Sequence, residues 1–224
     1  MKNKNVLLIT ALSLLACIAH GAMLFTPFNN YIYTSAVKII LFVLCPILYF
    51  MFSKEGKLKD LFFLKGNIKS IKYSLLLGVV AFVTIFIAFA VIPPWLDESM
   101  IINAMLNVGI TRDNYIFAVM YYLIINVALE ELFFRGFIFL TLYRMNYKYY
   151  AHLYSSLLFA IYHVAIMKYG VTPGLLLIST IGLVCVGLIF NEITRRCNNV
   201  FGSYALHISA SLAISLIGFY FLYQ

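Results

Sequence analysis

Residues 126–135 read NVALEELFFR and place two glutamates and an arginine inside a long apolar stretch. The surrounding run, residues 115–145, is rich in Ile, Phe, Val, Leu, Tyr and Met. At about 1.5 Å per residue it is long enough to cross a bilayer as a helix. Each charge at the centre of such a helix costs about 2.5–3.5 kcal/mol on insertion scales. Charges that are carried at this cost predict a functional site inside the membrane.

The alternative interpretation of these charges is structural. Glu131 and Arg135 are four residues apart on one helical face and can form an ion pair that fixes helix packing. Glu130 lies about 100° further round the helix. The pair therefore leaves Glu130 without an evident partner.

The composition predicts an integral membrane protein. The chain has 224 residues, of which 64% are hydrophobic and 11% charged, and its mean hydropathy is +0.97. A soluble domain of this size could not bury that much apolar surface. No internal repeat divides residues 1–224, so we expect one domain. The fold class predicted is an all-α bundle of about seven (six to eight) transmembrane helices, with residues 115–223 as its catalytic core, and the spans are predicted at about residues 6–25, 33–52, 73–92, 115–145, 149–167, 175–194 and 200–223.

The distribution of basic residues predicts the orientation. With the N-terminus in the cytoplasm, the cytoplasmic segments hold 12 of the 16 lysines and arginines, as the positive-inside rule requires. The net charge of +8 therefore does not indicate a nucleic-acid partner. Residues 53–72 hold six of these lysines and are expected to lie on the anionic leaflet or simply to set the topology. Lys38, inside the second span, is expected to snorkel outward, and residues 99–108 to form a short surface helix.

Two histidines fall inside later spans, His163 in the fifth and His207 in the seventh. Ser211 follows His207 by four residues on the same helical face. Glu130 and His163 each lie about 21 Å from the predicted cytoplasmic ends of their helices. We therefore expect a shared cavity that opens to the cytoplasmic half. The four cysteines have no CxxC spacing, so neither a disulfide nor a zinc knuckle is expected.

A carboxylate and two imidazoles in a poorly hydrated pocket suit the activation of water for attack on an amide. Glu130, His163 and His207 also match the ligand set of a catalytic zinc site, so the sequence leaves open whether the cofactor is zinc or none. Other intramembrane protease chemistries fit less well, because the chain has no HExxH helix, Gly-x-Ser motif or Gly-x-Gly-Asp motif.

Three motifs together resemble one family. They are EELFFRG at 130–136, SSLLFAIYH at 155–163 and His207 near the end of the chain. Their order and spacing are similar to those of the CPBP family, which comprises the type II CAAX prenyl endopeptidases and the bacteriocin-processing or Abi proteins. The resemblance covers about residues 115–215.

The resemblance implies an intramembrane endopeptidase acting on a small peptide or the tail of a membrane-associated protein. It implies that Glu130 activates water, that Glu131 and Arg135 support it, and that His163 and His207 complete the site. Family members usually have Asn or Asp four residues after the last histidine, where this chain has Ser211. The expected setting is a bacterial cell membrane, with a role in bacteriocin immunity or peptide maturation.

Two other functions remain open at this stage. A non-enzymatic scaffold of the same family would bind a toxin or a regulatory partner and use its polar core only to hold helices together. A proton-coupled transporter would use Glu130 and the histidines as a relay. The chain lacks the paired broken helices of many transporters, so we rank that reading last.

Overall fold

The computed structural model describes residues 2–26, 30–53, 68–91, 98–167 and 172–224. Most of the basic segment predicted to lie on the leaflet falls outside these ranges, so its placement stays a prediction. In the described part of the chain all regular structure is helical, and seven helices are long and apolar enough to cross a membrane. The prediction of an all-α bundle with seven spans is confirmed.

Eight helices follow one another in the part of the chain that the structure describes. A short one, α4, lies between the third and fourth spans and confirms the short helix predicted there. The helices are α1 (Lys2–Met23), α2 (Tyr31–Phe52), α3 (Ile68–Val91), α4 (Glu98–Asn107), α5 (Tyr115–Arg144), α6 (Lys148–Met167), α7 (Pro173–Cys197) and α8 (Phe201–Tyr223).

Polar residues set several of the helix ends. The side chain of Asn30 caps α2 by accepting from the backbone of Ile32 at 2.9 Å. Thr172 caps α7, which begins with a proline at its first position. Asn198 ends α7 in the left-handed region, at φ 52°, and Asn146 adopts φ 73° between α5 and α6. These short connections make α5 and α6, and α7 and α8, neighbours in the bundle.

Small residues allow the helices at the C-terminal end of the chain to approach closely. A Cβ built on Gly202 of α8 would lie 2.8 Å from Ser74 Oγ on α3 and 2.6 Å from Cys197 Sγ on α7. A Cβ on Gly187 of α7 would lie 3.0 Å from the Ser156 backbone on α6. Close backbone approach at small residues is a main source of helix association in membranes.

Aromatic packing fixes α2 against α5. Phe42 stacks on Phe133 with ring centroids 4.0 Å apart, and Phe134 meets the same ring edge-on. All three side chains are buried. Because α2 is held at this point of α5, its residue one turn earlier, Lys38, is brought next to the glutamates.

The charged span is one helix with two wider stretches. Tyr122–Asn126 and Glu131–Leu140 are π-helical, and the α-helical turn Val127–Glu130 lies between them. Extra residues in a turn move the following side chains round the helix, and such turns are frequent at functional sites. The apolar pattern of the sequence predicts only a helix here and gives no signal for the widening.

Candidate active site

Glu130 lies at the centre of the polar cluster and is almost fully buried. Its Oε1 accepts hydrogen bonds from the Lys38 ammonium and from Asn126 Nδ2, the latter at 3.1 Å. No described residue donates a hydrogen bond to its Oε2. Instead, Nε2 of His163 and Nε2 of His207 each lie 3.7 Å from Oε2. One carboxylate oxygen is therefore held, while the other faces two imidazoles.

Hydrogen bonds on the far side of each ring set the tautomers of the histidines. Nδ1 of His163 lies 2.8 Å from the carbonyl oxygen of Phe159, and Nδ1 of His207 lies 2.9 Å from Glu131 Oε1. Both partners are acceptors, so we assign the Nδ1 atoms as N–H donors. In the neutral rings, the Nε2 lone pairs then face Glu130 Oε2.

The three facing atoms, Glu130 Oε2 and the two Nε2 atoms, are all acceptors. Glu130 Oε2 is buried without a donor among the described residues, and a buried acceptor left without a donor is costly in a low-dielectric interior. A water set to one side of the line from Oε2 to either Nε2 can bond to both atoms at about 2.8 Å. The polar groups that could bind one water molecule therefore lie close together here.

A second buried ion pair, between Arg135 and Glu131, lies next to Glu130. Arg135 Nη1 lies 3.1 Å from Glu131 Oε1, and both side chains are fully buried. The guanidinium also lies over the rings of Phe159 and Phe190, at 4.0 and 4.7 Å from their centroids. The pair predicted from the spacing is present, and its carboxylate also accepts from His207. Glu131 thus joins the arginine to an imidazole that faces Glu130.

Lys38 belongs to the site, contrary to the expectation from the sequence. It was expected to snorkel outward, but it is only 3% exposed and its ammonium contacts Glu130 and, at 2.6 Å, Asn126 Oδ1. The same ammonium lies 5.1 Å from the Tyr162 ring centroid. The balance of charges in the sequence could have indicated that Lys38 pairs with Glu130. The fourth span leaves one acid unpaired, and Lys38 is the one lysine or arginine within the other predicted spans.

Ser211 is placed apart from the carboxylates. Its Oγ donates to the hydroxyl of Tyr122 at 3.2 Å. Tyr122 lies two turns before Glu130 on α5, so the serine borders the site. Its hydroxyl bonds to a phenol and not to a carboxylate or an imidazole. The structure brings together Glu130, Glu131, Arg135, His163 and His207, and sets Ser211 at the edge of this group.

The donor atoms of the cluster bear on the zinc alternative. Glu130, His163 and His207 are suitable ligand types, and both histidines donate from Nδ1 as metal-bound histidines do. However, the described residues contain no group of three His, Cys, Asp or Glu arranged to hold a metal ion. The Lys38 ammonium also places a positive charge directly on the Glu130 carboxylate. The arrangement found here does not fit a zinc site.

Two cavities differ in whether a residue of the polar cluster lines them. One of about 150 Å³ is lined by Glu131 together with residues from the start of α8, including Phe201 and Tyr204. A larger one, of about 470 Å³, lies between α2 and α5 near Asn30 and Tyr121 and is lined by none of the carboxylates or histidines. The smaller cavity thus touches the cluster at Glu131. It lies at the end of α8 that the predicted topology places towards the cytoplasm.

Comparison with known families finds one similarity, in the second half of the chain. Residues 112–213 match the family model described as Rce1-like, type II CAAX prenyl endopeptidase. This stretch, the Rce1-like domain, covers a little under half of the chain and is similar to that family. This confirms the resemblance drawn from the motifs, and the Rce1-like domain supports a CAAX-type intramembrane protease in a multi-pass membrane protein. No curated protein and no solved structure shows significant similarity to the chain.

The Rce1-like domain holds all six residues that the sequence singled out, from Glu130 to Ser211. It does not hold Lys38, which lies well before its first matched residue. One of the two groups that fix the Glu130 carboxylate therefore comes from outside the Rce1-like domain.

Proposed function

We propose that the chain hydrolyses a peptide bond within the membrane, using a water that Glu130 activates. The observation that carries the proposal is the position of Glu130 Oε2, which has no donor among the described residues and faces the Nε2 atoms of two histidines. A general base must lie within hydrogen-bond reach of the proton that it removes. A water held between these three atoms meets that requirement.

The proposed reaction assigns a task to each group. Glu130 Oε2 takes a proton from the water as its oxygen bonds to the carbonyl carbon of the scissile amide. The carbon–nitrogen bond then breaks, and the proton passes to the leaving amine. His207 is the better placed carrier for this proton, because the hydrogen bond from its Nδ1 to the Glu131 carboxylate holds the ring with Nε2 facing Glu130. His163, held by a backbone carbonyl, orients the water from the other side.

The substrate we propose is a small peptide or the tail of a membrane-associated protein. The cluster lies in the middle of a 30-residue apolar helix, so a substrate must present its peptide bond at membrane depth. Further proposals are a bacterial cell membrane as the location, a cytoplasmic N-terminus, and a role in bacteriocin immunity or peptide maturation. They rest on the distribution of basic residues and on the family resemblance.

One observation favours a second candidate function, a non-enzymatic scaffold. The cluster holds two buried ion pairs, Lys38 with Glu130 and Glu131 with Arg135. Such pairs fix the register between helices even where no chemistry takes place. An immunity or regulatory scaffold would need this rigidity and no activated water.

Cleavage in reconstituted vesicles separates the two candidates. The full-length chain would be placed in liposomes with a prenylated CAAX peptide and a panel of apolar peptides, in ¹⁸O-labelled water. We expect one product to carry the label at its new carboxylate. A scaffold leaves every peptide intact, and that result would overturn the proposal.

A further inference from the structure

Lys38 stands out among the buried charged groups because it comes from the N-terminal half of the chain. It lies on α2, before the residues matched by the Rce1-like family. Its ammonium contacts Glu130 Oε1 and lies 2.6 Å from Asn126 Oδ1. The side chain passes Phe42 and Tyr162, whose ring centroids are 5.4 and 5.1 Å from the ammonium. An ammonium this deep in an apolar span is held by these partners and not by solvent.

The hydrogen bonds from Lys38 and Asn126 both go to the same oxygen of Glu130, Oε1. Lys38 approaches Oε1 from α2, and Asn126 approaches the same oxygen from the preceding turn of α5. Two donors on one oxygen fix the rotation of the carboxylate. The other oxygen, Oε2, is thereby pointed at the two histidines. Without the lysine, only the Asn126 amide, at 3.1 Å, would hold that oxygen.

Lys38 also balances the charge of the cluster. Two carboxylates and two cations, Glu130, Glu131, Arg135 and Lys38, sum to zero when both histidines are neutral. Removing one member of a buried pair leaves an uncompensated charge, whereas removing both members is much less costly. This difference makes the contact testable without reference to activity.

We propose that Lys38 is a positioning residue of the site, supplied by the N-terminal half, which holds Glu130 by Oε1 so that Oε2 faces both imidazoles. This rests on the proposed hydrolytic function. It implies that the Rce1-like domain is completed by a helix outside its matched residues.

The alternative interpretation is that Lys38 only holds α2 against α5 and has no effect on the orientation of Glu130. Aromatic packing already does this, since Phe42 stacks on Phe133 and Tyr49 packs against Phe137 at 5.5 Å. Tyr49 lies eleven residues along α2 from Lys38, where its hydroxyl donates to Met145 Sδ and its ring packs against Phe50. Tyr49→Leu is therefore a matched control that weakens α2 packing and leaves the Glu130 carboxylate held.

The test combines stability with kinetics in the full-length chain. Lys38→Met, Glu130→Gln and the double variant would be compared with wild type by thermal unfolding in detergent. We expect each single variant to lower the melting temperature and the double variant to lie above the lower of the two. The kcat and KM for a peptide that wild type cleaves would be measured for Lys38→Met, Lys38→Arg and Tyr49→Leu.

A misplaced carboxylate predicts a specific kinetic pattern. Lys38→Met should lower kcat about 100-fold with KM changed less than about twofold, because binding is kept and geometry is lost. Lys38→Arg should recover part of kcat. Tyr49→Leu should lower the melting temperature and leave kcat near wild type.

Two results would overturn the positioning role. One is a Lys38→Met enzyme with wild-type kcat, and the other is additive melting-temperature losses in the double variant. If wild type cleaves no peptide at all, the proposed function fails. Non-additive losses would then still establish the contact with Glu130 and reduce Lys38 to a structural partner.

Discussion

His207 donates from Nδ1 to Glu131 Oε1 across 2.9 Å and so joins two helices whose contacting residues are 76 positions apart. The opposite nitrogen of the same ring faces Glu130 Oε2 at 3.7 Å. The imidazole therefore lies between two consecutive carboxylates of α5. Glu131 is hydrogen-bonded to one ring nitrogen, and Glu130 faces the other.

The first prediction concerns this histidine. His207→Ala should lower kcat for peptide cleavage by about 10²–10⁴-fold, the usual contribution of general acid–base groups. His152→Ala is the matched control, because His152 lies near the start of α6 and packs against Phe139 and Tyr143 of α5. Initial rates in liposomes measure both. Equal rates for the two variants would remove His207 from the mechanism.

The second prediction concerns the ion pair behind the site. Arg135→Met leaves the Glu131 carboxylate buried without its cation, and breaking such a pair costs about 3–5 kcal/mol. The variant should unfold at a markedly lower temperature in detergent, and adding Glu131→Gln should restore part of the loss. The contrary outcome is a double variant less stable than Arg135→Met alone.

The third prediction tests the packing of the helices around the site. Gly202→Ala should destabilise the protein by about 1–3 kcal/mol, because its Cβ would crowd Ser74, Ile193 and Cys197 on two other helices. Gly182→Ala is the control, since no atom lies within 4 Å of a Cβ built there. Both changes gain the same helix propensity, so the difference in unfolding temperature isolates the crowding. A smaller loss at Gly202 than at Gly182 would contradict the packing described.

The fourth prediction concerns metal. Because the donor atoms of Glu130, His163 and His207 are not arranged as a metal site and Lys38 holds the carboxylate, we expect cleavage to persist after dialysis against a chelator. Elemental analysis of the purified protein should find no stoichiometric zinc. Loss of cleavage on chelation with recovery on adding zinc back would show that the metal-assisted reaction is the correct one.

The fifth prediction concerns Ser211. Because its hydroxyl donates to Tyr122 and not to a carboxylate or imidazole, Ser211→Ala should lower kcat less than about tenfold. The loss in His207→Ala should be far greater. Rates for the two variants under the same conditions decide this point. A comparable loss in both would mean that the serine acts directly on the reacting groups.

Several features could be predicted from the sequence because they depend on local chemistry. Apolar runs of spanning length predict the seven helices, and four-residue spacing predicts the Glu131–Arg135 pair. The order of three motifs, around Glu130, His163 and His207, predicts the family. Each of these signals lies within one helix or in the order of helices along the chain.

Other features depend on how distant helices are rotated against one another. Lys38 and Glu130 are 92 positions apart, and whether a lysine snorkels or turns inward depends on which face of α2 meets α5. The π-helical turns that flank Glu130 leave no trace in an apolar pattern. The Ser211–Tyr122 contact likewise follows from the register between α8 and α5.

The central claim is that Glu130 acts as the base for the attacking water, and one comparison tests it most directly. Glu130→Gln and Glu192→Gln each remove one negative charge, the second from an exposed cluster with Arg195 and Arg196. The measurement is the initial rate of peptide cleavage in liposomes, normalised to folded protein. We predict a loss of about 10²–10⁴-fold for Glu130→Gln and a near wild-type rate for Glu192→Gln. Equal rates for the two variants would contradict the account.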